Sequence, residues 1–158
     1  MNYYCGMKKN ITATTNHFIE QMGMTAQADG LPRISGKVLG LLIIETGPFS
    51  FSELAERLAV SRGSVSTNTR LLESLNMIER VSKLGQRGDF FQLAKNPYAK
   101  LLQGVSQRME KSMTIANETI KALPSTEIES QARLLELENF YAEYLKSTMT
   151  LIAKLQQR

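Results

Sequence analysis

Phe51-Ser52-Glu53-Leu54-Ala55-Glu56-Arg57-Leu58-Ala59-Val60-Ser61-Arg62-Gly63-Ser64-Val65-Ser66-Thr67-Asn68-Thr69-Arg70-Leu71-Leu72 reads as two short helices joined by a tight turn. Leu54, Ala55 and Leu58 share one face of the first helix, and Ser52 is placed to cap its start. Ala59-Val60 makes the turn and Ser61 caps the second helix. There Val65, Thr69 and Leu72 recur at helical spacing and must face inward, which leaves Arg62, Ser64, Ser66, Thr67 and Arg70 outside.

That outer face suits DNA. A helix fits the major groove, where Arg pairs with guanine, Asn with adenine, and Ser or Thr with either base or with phosphate. The candidates on this helix are Ser61, Arg62, Ser64, Ser66, Thr67, Asn68 and Arg70. Gly63 costs the helix about 1 kcal/mol relative to alanine, a cost consistent with a need for close approach. The positive end of the helix near Ser61 favours a phosphate.

Beyond Leu75, Asn76 suits a left-handed helix end. Met77 to Val81 and Asp89 to Leu93 then read as two strands around a glycine-bounded tip, a hairpin whose Lys83, Gln86 and Arg87 can lie over the DNA backbone or reach the minor groove. Between Arg57 and Arg87 six basic residues face only Glu73 and Glu79, whereas from Thr126 onward five glutamates outnumber four basic residues. The net charge of +4 and pI near 9.3 are therefore concentrated on this stretch.

The remaining segments read as helices around it. With 158 residues the chain can bury a real core. Residues 1–10 lack periodicity and read as a disordered leader. Residues 11–46 form N-terminal helices, the first with Phe18, Ile19, Met22 and Ala26 inward. The second follows Pro32, with Ile34, Val38, Leu41, Leu42 and Ile44 forming a wide stripe at the heart of the domain. Residues 47–95 are the winged helix-turn-helix and 96–158 a helical dimerisation region, the whole being one compact domain with helical extensions.

In the last region a helix follows Asn96-Pro97 and breaks at Pro124-Ser125. Leu134, Leu137, Tyr141, Tyr144, Thr148, Leu151 and Leu155 then hold a heptad spacing. This stripe is wider than one small winged domain needs, so it predicts a partner helix, most simply from a second copy.

Other classes are disfavoured. His17 is the only histidine, aspartate occurs only at Asp29 and Asp89, and no phosphate-cradling loop or nucleophile elbow is present, so the chain reads as no enzyme and calls for no cofactor. One cysteine, Cys5, gives neither a disulfide framework nor a cysteine-rich metal site and reads as an incidental thiol. The longest apolar run, Val38 to Ile44, is too short to span a membrane, and no secretory signal follows Lys8 and Lys9, which places the protein in the cytoplasm.

The segments Leu54 to Leu58 and Ser61 to Ser66 resemble the winged helix of MarR-type bacterial transcription regulators. Gly30 to Leu42 and Ser64 to Asn68 resemble more narrowly the GbsR-like branch. The resemblance spans about His17 to Tyr98. It implies a homodimer with interlocked terminal helices, two winged domains reading a palindromic operator in double-stranded DNA, and repression relieved by a small-molecule effector. In that branch the ligand class is choline and related betaine precursors, held by aromatic faces. This chain has no tryptophan; Phe90, Phe91, Tyr98, Tyr141 and Tyr144 are the rings that could form a cage, with core or dimer packing the stronger reading, and choline is not carried over. Gln86 also replaces the family's usual acidic residue before the arginine, and Gly88 stands where a second arginine is common.

The expectation is a mainly α protein with a small β-hairpin wing and dimerisation helices at both ends, acting as a DNA-binding regulator. The rival is a winged-helix module that binds another regulator without reading DNA.

Overall fold

The computed structural model describes residues 3–157, with side chains described from Thr12 onward. Its elements are α1 (Tyr3–Ala28), α2 (Arg33–Ile44), β1 (Phe49–Ser50), α3 (Phe51–Leu58), α4 (Arg62–Ser74), β2 (Ile78–Val81), β3 (Phe90–Leu93), α5 (Pro97–Ala122) and α6 (Ile128–Gln156). The chain divides into two compact units, one ending at Pro97 and one beginning at Tyr98, close to the expected start of the helical region at residue 96. Helices α1 and α2 belong to the first unit with the winged helix. The first helix also starts earlier than expected: residues 3–10, read as a disordered leader, are its opening turns, while Met1, Asn2 and the side chain of Cys5 lie outside what is described.

In the first unit α2 is the central element, packed on α1, α3, α4 and β3. Val38, Leu41 and Leu42 are buried as expected, but Ile34 is only half-buried and Ile44 is 41% exposed. The reason is that α1 covers α2 through backbone rather than through a broad apolar stripe. A Cβ on Gly36 would collide with the Met22 carbonyl oxygen and stand 2.9 Å from Gly23 Cα, and one on Gly40 would stand 3.3 Å from Ile19 Cα. Glycines there let the two helix backbones touch, and Ser35, also buried, returns its hydroxyl to the Pro32 carbonyl at 2.6 Å.

The sheet has the order β1-β3-β2, both pairs antiparallel. Val81 pairs with Phe90 and Ile78 with Leu93, which gives the expected hairpin. Strand β1, only two residues long, was not anticipated; it places Phe49 opposite Phe91. Because β1 runs straight into α3, the helix begins earlier than Ser52. Its N-cap is Ser50, whose hydroxyl accepts from the Glu53 amide at 3.2 Å while the Glu53 carboxylate accepts from the Ser50 amide at 2.6 Å. This reciprocal pair satisfies two amides that the helix itself cannot.

In the second unit α5 and α6 form an antiparallel hairpin, joined across their faces by the Asn117 amide donating to Glu138 at 3.1 Å. Leu145 and Thr148 are buried in it. No described helix is long and apolar enough to cross a membrane.

Candidate nucleic-acid interface

Helix α4 is set by its inner face. Val65 and Thr69 are fully buried and Leu72 nearly so, as the spacing required. The turn before it closes on Ala59, left-handed at φ 53, whose amide reaches back to Ala55 and Glu56. Ser61 then caps α4, accepting from the Ser64 amide at 3.1 Å, and its hydroxyl is also 2.9 Å from that of Ser64. At the other end Asn76 is left-handed at φ 58, as expected.

Arg62, Thr67 and Arg70 are exposed and Ser64 and Ser66 half-buried. Asn68 departs from the expected set. It is 6% exposed, and its amide donates to the Ser64 carbonyl at 2.7 Å, so the side chain turns back along its own helix instead of outward. Three residues on from Val65 and four before Leu72, it lies nearer the inward side than Arg70 does. Its Oδ1 is buried without a partner.

Two arginines counted in the basic stretch are internally neutralised. Arg57 pairs with Glu45 and donates to Asn16 at 2.9 Å. Arg80 donates to Glu73 at 3.0 Å and to Asp89 at 2.9 Å, and its guanidinium lies 5.4 Å from the Phe91 ring centre. The Glu73 hydrogen bonds, more than burial opposes, hold the Arg80 pKa above its ordinary value. By contrast Arg62, Arg70 and Arg87 have no carboxylate partner among the described residues. The positive face is therefore narrower than the charge count implied. No local sequence signal gave the Arg80 tie, because Glu73 and Asp89 meet it only after the hairpin has folded back on α4.

The wing completes the surface. A concavity of about 380 Å³ between the starts of α3 and α4 and the base of the wing brings Arg62 of the helix together with Gln86 and Arg87 of the wing. Lys83 is not directed the same way: its ammonium sits 4.5 Å from the Phe90 ring centre. Ser50 and Glu53, whose S-x-x-E spacing is the sequence signature of a capping box, line one wall of this concavity.

Phe90 and Phe91 cannot serve the aromatic cage. Both are buried in the sheet, and Phe91 meets Phe51 edge to face at 4.7 Å. With Arg80 and Lys83 on the rings, neither offers an open face to a ligand, so the five-ring cage loses two walls. Tyr98, Tyr141 and Tyr144 lie in the helical unit.

The expected heptad also divides. Thr148 faces inward at 6% exposure, whereas Leu137 at 39% and Leu151 at 47% remain outside, with Phe140 beside them at 57%. Within one chain α6 thus covers only one side of its apolar surface.

Two short helices at a tight turn, a third helix behind them and a basic hairpin beside the outer helix define a winged helix-turn-helix DNA-binding fold. The family model described as "MarR family" matches residues 29–88, from the turn between α1 and α2 to the wing. The chain is 32% identical over 134 residues to the HTH-type transcriptional regulator MmpR5 of Mycobacterium tuberculosis, covering 84% of this chain and 81% of that protein. It is 29% identical over 82 residues to the HTH-type transcriptional repressor OpcR of Bacillus subtilis, covering 52% of this chain and 44% of that one. A crystal structure of a transcriptional regulator matches the fold with a TM-score of 0.82 at 29% identity, over 92% of this chain and 99% of the other. The chain belongs to the MarR family and is a DNA-binding transcription regulator, not an enzyme.

Proposed function

We propose that the protein is a cytoplasmic homodimeric repressor of the GbsR-like branch, reading a palindromic operator and released by a small-molecule effector. The observation that carries the DNA contacts is the exposed face of α4, where Arg62, Thr67 and Arg70 stand free of internal carboxylates while Arg62 shares a concavity with Gln86 and Arg87. In this reading α4 enters the major groove, Arg62 and Arg70 reach base edges or phosphates, Ser64, Ser66 and Thr67 supply short polar contacts, and the capped start of α4 at Ser61 takes a phosphate. Gln86 and Arg87 follow the backbone into the neighbouring minor groove, and Lys83 adds charge from the turn of the wing.

The uncovered side of α6 supports the homodimer: Leu137, Tyr144 and Leu151 recur on it at heptad spacing, and a partner helix would bury them. Of the same heptad, Thr148 packs inside the hairpin, while Leu134, Tyr141 and Leu155 are half-buried and would border the partner helix. The branch assignment rests on Gly30 to Leu42 and Ser64 to Asn68, and the repressor sense on likeness to a protein named as a repressor. Three of the proposed effector-contact rings, Tyr98, Tyr141 and Tyr144, remain half-buried or exposed.

Fluorescence anisotropy with labelled fragments of the DNA upstream of the chain's own coding sequence tests the central point. A fragment bound far more tightly than random DNA at moderate salt is expected. Equal binding of all fragments across low and moderate salt would leave the protein-interaction reading in its place.

A further inference from the structure

The wing ends in a side chain that the basic reading of the hairpin leaves without a role. The Gln86 amide donates to the Lys83 carbonyl at 3.1 Å, closing a four-residue turn with Leu84 and Gly85 at its centre. Gly85 stands at φ 78, the value a type II turn requires at its third position. Leu84, at the second, is pushed to the apex and is 105% exposed, the most exposed large apolar residue among those described. Lys83 folds back over Phe90, so the foremost group of the wing is apolar, not cationic.

We propose that Leu84 is an apolar wedge that seats in the DNA minor groove and favours A·T pairs beside each half-site. This rests on the reading that the wing faces DNA. The minor-groove walls are deoxyribose C–H surface, and its floor at A·T pairs carries only acceptors, whereas a G·C pair adds the guanine amino group. A leucine pressed against that amino group would strip its water and return no hydrogen bond. At A·T pairs the groove takes the side chain out of water, as apolar wedges do in other minor-groove proteins. Arg87, three residues on and free of carboxylate partners among the described residues, holds the neighbouring phosphates.

The test uses the full chain. Duplexes selected from a random-sequence pool define the half-sites, and the flanking pairs under the wing are then set to A·T, G·C or inosine·C, whose minor groove lacks the amino group. By anisotropy the wild type should bind A·T and inosine·C flanks alike and G·C about fivefold more weakly. Leu84→Ala should lose that ranking while keeping the selected half-site and the thermal midpoint. Equal binding of all three flanks by the wild type, or a ranking retained in Leu84→Ala, overturns the wedge and leaves recognition through α4 standing. Failure of the wild type to select any sequence overturns both.

Discussion

Arg62 opens α4 and Arg80 lies in the strand that follows it, yet their surroundings give these two arginines opposite work. Arg80 is held by two carboxylates and a ring, so its charge is spent inside the fold, while Arg62 is exposed with no such partner among the described residues. Arg62→Ala should therefore weaken operator binding by about 1–3 kcal/mol and leave the urea midpoint nearly unchanged. Equal operator affinity in the variant would move the recognition face elsewhere. Glu53 shows the same principle in a carboxylate. Its hydrogen bond from the Ser50 amide, ahead of the Ser50 hydroxyl, holds its pKa below the ordinary value. A depressed folded pKa gives stability that is complete above the unfolded value, about 4.3, and is lost as pH falls through the folded one. Thermal unfolding at neutral and acidic pH should thus show a steeper acid loss in the wild type than in Glu53→Gln.

At the scale of elements, glycines mark where helices touch and where one is exposed for another purpose. Gly36 lies against the backbone of α1, so Gly36→Ala must push the two helices apart and should cost about 1–3 kcal/mol in urea unfolding. Gly63 has only the Ser61 hydroxyl within 4 Å of an added Cβ, at 3.9 Å. Gly63→Ala should accordingly stabilise α4 by up to about 1 kcal/mol, and if the glycine admits DNA closely the same variant should bind its operator less well. The inner face of α4 and the hairpin were legible because period and turn chemistry are local properties of the chain. The α1–α2 contact was not, since glycine reads locally as a break and reveals itself as a packing residue only when a second backbone arrives. Strand β1 escaped notice for a related reason: two residues have no period, and Phe49 is extended because Phe91 is beside it. Asn68 has a side chain suited to adenine, but its position on the helix and its bond to Ser64 decide where it points.

For the whole molecule, exposed charge and exposed apolar surface predict separate behaviours. Removing one phosphate contact by Arg87→Ala should reduce the slope of log affinity against log salt by about 0.9. Leu151→Glu should convert the proposed dimer to monomers in light scattering, and a persistent dimer would place the contact on another face. The break at Pro97 falls beside the 95/96 boundary read from Asn96-Pro97.

Contact between α1 and α2 through bare backbone has a mechanical meaning. At Gly36 the nearest neighbours are the Met22 carbonyl, the Ala26 methyl and Gly23 Cα, none of which can swing aside as a long side chain would. Helix α2 in turn packs directly on α4. The crossing is therefore intolerant of added volume, and it stands directly behind the element whose outer face carries Arg62 and Arg70.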